Sequence, residues 1–214
     1  MSLPNLSDGS RMADETVTVV VTTFNDSEYL RDALESVYFQ DPLPDEVMLV
    51  DDGSEENPEP IAASFPRVKF MRQRNSGLSS ARNLGLRTAR STFVAFLDAD
   101  DRFCPGALKA GINCFANRPD ASMVYGGHRR IRADGNPLGE DNYRAIGEDA
   151  YSSLLAGNCI GMHAAVLYLR EALLSFGGFD ETLRRCEDYD LYLRFARTHI
   201  IASCGRCRVP LAWE

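Results

Sequence analysis

Apolar and polar positions along this chain change period repeatedly, and each change marks an element. The run "TVTVVVTTF" at 16–24 is β-branched and apolar almost throughout, the pattern of a buried strand. It gives way at 26–40, "DSEYLRDALESVYFQ", to helical spacing with Leu30, Ala33, Leu34 and Val37 on one stripe, and Asp26 or Ser27 can cap the first turn. "DEVMLVDDGS" (45–54) and "VKFMRQ" (68–73) read as the second and third strands, "GLSSARNLGLRTA" (77–89) as a helix opening after Gly77, and "TFVAFLD" (92–98) as the fourth strand. Strands alternating with helical stretches predict an α/β fold, with a mixed, mainly parallel central sheet flanked by helices.

The second half is less regular. "ASMVYGGHRRIRADGNPLG" (121–139) predicts a strand, a polar turn at Asp134-Gly135 and a return, and "EDAYSSLLAG" (148–157) a helix. "HAAVLYLREALLSFGGFD" (163–180) reads as a strand running into a short helix stopped by glycines. "EDYDLYLRFARTH" (187–199) is an amphipathic helix in which Asp188, Leu191, Tyr192 and Phe195 share one face, with Asp188 at its top. The spacing contains no internal repeat and no linker that divides the chain.

At 214 residues the sequence has the size of one domain, expected over 16–214 behind a disordered polar leader at 1–15. No apolar run approaches the ~20 residues of a membrane helix, and the leader lacks the charged head and apolar middle of a signal peptide. The formal net charge of -8 argues against a nucleic-acid backbone as partner. Positive charge is almost all arginine, since Lys69 and Lys109 are the only lysines, and arginine is the better fork for phosphate oxygens. Six cysteines without a secretion signal suggest reduced thiols, and "CGRC" at Cys204 and Cys207 has no second pair to complete a zinc site.

Two strands end in carboxylates: Asp51 and Asp52 in "LVDDGS", and Asp98, Asp100 and Asp101 in "FLDADD". Ligands of open α/β sheets bind beyond the carboxyl ends of strands, so both acidic ends are expected to face one crevice. Turn formation is the plainer reading of "DDGS". Three crowded carboxylates must protonate in part or take up a cation, and magnesium or manganese suits Asp98 and Asp100, because these ions use one or two carboxylates plus substrate phosphates. Between the acidic ends, "RQRNSGLSSARNLGL" supplies Arg72, Arg74 and Arg82 ahead of and inside a helix start, where a pyrophosphate can sit; a solvated arginine face is the alternative. Phe24 ends the first strand and can stack on a base or fill the core. Asp188 is either a functional acid or an acid stabilising a helix start.

"VTVVVTTFND", "LVDDGS", "RNSGLSSARNLGL", "FLDADD" and "GGFDETLRRCEDYDLYLRFA", in this order, resemble the inverting glycosyltransferases of family 2, which have the GT-A fold. The resemblance runs from about Thr16 to the C-terminus. It implies an enzyme that moves a sugar from a nucleotide-diphosphate donor, usually a UDP-sugar, with Mn2+ or Mg2+ as cofactor, in cell wall or polysaccharide biosynthesis. By position, Thr23, Phe24, Asn25, Asp51 and Asp52 would hold the nucleoside, Phe24 stacking on the base and Asp52 bonding its edge. Asn75, Gly77 and Arg82 would shape the donor site. Asp98, Asp101 and Glu187 would line the donor side, Asp100 with Asp98 would take the metal, and Asp188 would be the general base. The membrane helices and Q-x-x-R-W motif of processive members are absent, so single transfer to a glycan, lipid-linked or protein acceptor is implied, in the cytoplasm or peripherally at the inner face of the membrane. Relatives usually continue past "VPLAWE", so a C-terminal truncation is expected. Competing readings are a non-catalytic nucleotide-sugar or carbohydrate binding domain, and a sugar nucleotidyltransferase, whose Gly-rich basic loop "TTFNDSEYL" does not supply.

Overall fold

The computed structural model describes residues 15–132 and 136–204. Its central strand β1 (Val17–Thr23) is flanked by two parallel neighbours, β2 (Glu46–Asp51) and β4 (Phe93–Asp98), and β3 (Val68–Arg72) extends the sheet beyond β2. On the other side β6 (Val166–Leu169) runs antiparallel to β4 and to β5 (Met123–Tyr125), and β7 (Ile201–Ser203) lies parallel to β5. The order is β3-β2-β1-β4-β6-β5-β7, a mixed, mainly parallel sheet as the alternating periods predict.

Every residue of β1 is buried, because both faces of the sheet are covered. Val17, Val19 and Val21 join Leu30, Leu34 and Val37 of α1 (Ser27–Tyr38) in one apolar cluster. Val20 faces the opposite way, into a second cluster with Leu86 of α3 (Leu78–Thr88), Leu173 of α6 (Arg170–Phe176) and Leu191 and Phe195 of α7 (Glu187–Phe195). The even-numbered positions of β4, Val94 and Phe96, belong to this second cluster, so strand alternation aims Asp98 at the same side.

Among the described residues, α2 (Glu59–Ala63), α4 (Ala107–Asn117) and β7 lie outside the predicted set, and a 3-10 turn (His163–Ala165) stands where the strand β6 was expected to begin. In α4 only Leu108, Cys114 and Phe115 are buried, and Gly111 with polar neighbours dilutes the stripe that periodicity needs. The helix expected at 148–157 forms as α5 (Ala150–Leu155). The strand and return expected over 121–139 shrink to β5. Beyond it, among the described residues up to 149, the chain pairs through isolated bridges, His128 with Asn142 and Ile131 with Pro137. Asp26 occupies the position before α1, but its carbonyl rather than its carboxylate receives the amides of Tyr29 and Leu30. The leader up to residue 14, the Asp134-Gly135 turn and Cys207 lie outside the described residues. No described helix is long and apolar enough to cross a membrane.

Candidate functional site

Register assembles the acidic edge. Thr23 of β1 pairs with Asp51, and Thr22 pairs with Asp98, so the carboxyl ends of β2 and β4 flank the end of β1. This parallel alignment brings both acidic strand ends to the same edge of the sheet, on either side of the end of β1.

Asp51 and Asp52 nonetheless do different work. Asp51 is fully buried; its Oδ1 accepts from the amide and hydroxyl of Ser54 at 2.9 and 2.6 Å, and its Oδ2 lies 3.1 Å from Arg72 Nε. That carboxylate holds a turn and is closed to a ligand, so its expected place among the donor contacts becomes a supporting one. Asp52 accepts from Gln73 Nε2 at 2.7 Å and from the amides of Ser76 and Gly77 at 2.9 and 2.8 Å, which moulds the loop ahead of α3. Loop and turn touch at Gly53, where φ is +84° and a Cβ would lie 2.9 Å from the Asn75 amide. Asn25 joins them, its amide donating to Ser54 Oγ at 2.9 Å and its Oδ1 accepting the Glu55 amide at 2.8 Å. Phe24 stands on the rim, 43% exposed, rather than in the core. Thr23 Oγ1 is buried at the end of β1 without a hydrogen-bond partner among the described residues. Asn75 and Arg74 are exposed beside this loop.

Arg82 is the main departure from the sequence reading. It is 2% exposed rather than facing a pyrophosphate. Its Nη2 donates to both oxygens of Asp98, at 3.1 and 2.8 Å, and its Nη1 to Glu187 Oε1 at 3.1 Å. The guanidinium also lies over the Phe179 ring, 5.4 Å from its centroid. A buried arginine keeps its charge only when carboxylates surround it, and here the Asp98 and Glu187 charges raise its pKa despite burial. Arg82 thus ties the end of β4 to the start of α7, and Thr22 Oγ1 completes the Asp98 shell at 2.7 Å.

With Glu187 committed to Arg82, its neighbour Asp188 makes no ion pair among the described residues; its Oδ1 accepts the Tyr189 amide at 2.7 Å. Burial raises its pKa above the ordinary value for an aspartate. Asp101 is buried, and desolvation followed by the charges of Asp98 and Asp100 pushes its carboxyl well up. Asp100 is exposed, and it too is raised, by desolvation and then by Asp98. Among the described residues no three His, Cys, Asp or Glu side chains form a ready metal site. The donor chemistry still fits magnesium or manganese: all-oxygen, with Asp100 open and mutually repelling acids behind it. Asp98, expected as a second ligand, spends its oxygens on Arg82 and Thr22.

Sequence reasoning missed Thr22, Gln73, Ser76 and Phe179 as supports. Thr22 carries a usable signal, a hydroxyl inside a buried strand, and it proves to be the direct register partner of Asp98. Gln73, Ser76 and Phe179 act only through contacts across the fold.

The family model described as "Glycosyl transferase family 2" matches residues 18–176. Chondroitin synthase of Escherichia coli is 29% identical over 196 residues, covering 88% of this chain and 28% of that protein. An uncharacterized glycosyltransferase of Rickettsia prowazekii (strain Madrid E) is 28% identical over 191 residues, covering 86% of this chain and 60% of that protein. The chain therefore spans less than two thirds of the length of these curated relatives. Among solved structures, residues 1–349 of S. aureus TarS superpose with a TM-score of 0.72 at 22% identity, over 91% of this chain and 60% of that one. The same protein in complex with UDP gives 0.73, over 93% of this chain and 60% of that one. At this identity the likeness establishes the fold.

Proposed function

Since this chain belongs to glycosyl transferase family 2 and has the GT-A fold, we propose that it transfers a sugar from a UDP-sugar to an acceptor hydroxyl with inversion at the anomeric carbon. The observation that carries this reading is the Arg82 bridge, which draws the start of α7, and with it Asp188, to the acidic edge where β4 ends. The TarS structures with UDP and UDP-GlcNAc support a uridine donor. The acceptor is a glycan, lipid-linked or protein hydroxyl, reached from the cytoplasm or at the inner face of a membrane.

In this reading the exposed ring of Phe24 stacks on the base, and Thr23 Oγ1 gains a partner in the bound nucleotide. Asp52, which has one lone pair left on Oδ2 beyond its three loop bonds, accepts from the base edge. Asp100 would hold magnesium or manganese beside the diphosphate, and when bound the ion supplies charge neutralisation to the departing nucleotide. Asp188 takes the proton from the attacking hydroxyl. Its raised pKa makes it a stronger base than an ordinary carboxylate: the Arg82 charge, shared with Asp98 and Glu187, pulls the pKa down but does not overcome burial. One displacement needs no covalent intermediate, so the product is inverted.

The test is a panel of UDP-sugars assayed for UDP release and for product configuration. Asp188→Asn is expected to bind UDP normally and to transfer about 10^2 to 10^4-fold more slowly. Near-normal transfer by this variant removes Asp188 from the role, and a retained anomeric configuration overturns the mechanism.

A further inference from the structure

Beyond the C-terminal end of β5, on the edge of the sheet at which β4 also ends, a hollow of about 420 Å³ opens. It is lined chiefly by His128, Arg130, Asn142, Tyr143, Arg144 and Asn158. Among the described residues this lining holds no carboxylate, although the chain carries 31 Asp and Glu against 23 Lys and Arg. Its walls are fixed by the backbone. His128 and Asn142 exchange amide hydrogen bonds at 2.8 and 2.7 Å, and the Tyr125 hydroxyl donates to the Arg144 carbonyl at 2.7 Å. Asn158 Oδ1 accepts the amides of Ile160 and Gly161 at 3.1 and 3.0 Å. Gly161 has a φ of +79°, and a Cβ there would lie 2.3 Å from His128 Cε1, so the imidazole rests directly on this segment.

The same segment reaches the helix that carries the proposed base. Two residues past Gly161, His163 Nδ1 lies 2.8 Å from the hydroxyl of Tyr192, which sits one helical turn after Asp188 in α7. The hollow and Asp188 therefore share one support. Arg144 is exposed and makes no ion pair among the described residues, and a guanidinium fork of this kind matches carboxylate or phosphate oxygens.

We infer that this hollow receives the acceptor, and that the acceptor carries an anionic group, a carboxylate or a phosphodiester, near the hydroxyl to be glycosylated. The inference rests on the transferase reading above. Neutral stretches of glycan would satisfy the amides and Tyr143 but leave Arg144 unpaired, which is the source of selectivity.

Three probes separate the sources of charge: an oligosaccharide alternating glucuronate with N-acetylhexosamine, the same oligosaccharide with its carboxyls reduced to alcohols, and an oligomer of glycerol phosphate. Each is titrated against the chain by calorimetry and then added as acceptor in the UDP-release assay. One anionic probe is expected to bind about tenfold or more tightly than the reduced one and to stimulate UDP release, and Arg144→Gln to remove that advantage. Whichever anionic probe does so identifies the group as carboxylate or phosphate. Arg144 lies on the surface, so its variant is expected to keep the wild-type melting temperature. Equal behaviour of the anionic and reduced probes, binding by none included, overturns the inference, as does an anionic preference that survives Arg144→Gln. With UDP release intact, either result leaves the transferase reading standing. Absence of UDP release with every donor sinks that reading and this inference together.

Discussion

Asp188 and Glu187 are adjacent acids with different fates, and the difference has a consequence in pH. Glu187 is paired with Arg82, whereas Asp188 is partly buried and makes no ion pair among the described residues, so desolvation leaves its pKa raised. A general base must be ionised to act, and a raised pKa means that it protonates sooner as the pH falls. The acid limb of kcat/KM is therefore expected above the ~4 of an unperturbed carboxylate, with activity falling about tenfold per pH unit below it. A profile measured with saturating metal and a fixed donor checks this. An acid limb at the ordinary carboxylate value, or the same limb retained in Asp188→Asn, assigns the titration to another group.

At the scale of elements, α3 holds the two halves of the chain together, and two substitutions on it test how. Arg82 joins β4 to α7, so Arg82→Met leaves Asp98 and Glu187 as uncompensated, largely buried charges. Loss of one partner from such a site typically costs roughly 3–5 kcal/mol, a large share of a domain's stability. Urea denaturation is expected to register a loss of that order. Arg82→Lys should recover only part of it, because an ammonium cannot fork to both carboxylates. A midpoint unchanged in Arg82→Met would show that the bridge carries no energy. Gly85 makes the opposite kind of case. Helix propensity alone says that Gly→Ala stabilises by about 1 kcal/mol. Here α3 lies so close to β1 that the new Cβ would sit 2.3 Å from Val20 Cγ1. Overpacking of this kind costs about 1–3 kcal/mol, so Gly85→Ala is expected to lower the melting temperature, and a rise would mean that helix and strand can move apart freely.

For the molecule as a whole, the acidic edge and the proposed diphosphate have the same sign, so binding must be conditional. UDP is expected to bind and to raise the melting temperature with manganese or magnesium present, and to do so far less in EDTA. Asp100→Ala should lose most of that metal-dependent gain while folding normally, since Asp100 is exposed. Equal UDP affinity in manganese and EDTA rejects the metal assignment. Much of this arrangement is local in origin and was readable along the chain. The succession of strand and helix periods announces β1 to β4 with α1 and α3, and the strand ends carry their acids within a few residues, because burial on a sheet and on a helix impose different repeats. The destinations of the charges are not local. Arg82 reaches Glu187 across 105 residues and Asn83 reaches the Phe179 carbonyl across 96, and no repeat within a segment records which distant group closes onto it. Asp51, Asp52 and Asp98 look alike in sequence, yet one is sealed in a turn, one moulds a loop and one is neutralised by Arg82. A short strand such as β7, with three residues, is too brief for a period and exists because β5 offers it an edge. Periodicity encodes which face of an element avoids water, whereas the partner of a buried charge is chosen only when the chain closes and every remaining polar group must be satisfied.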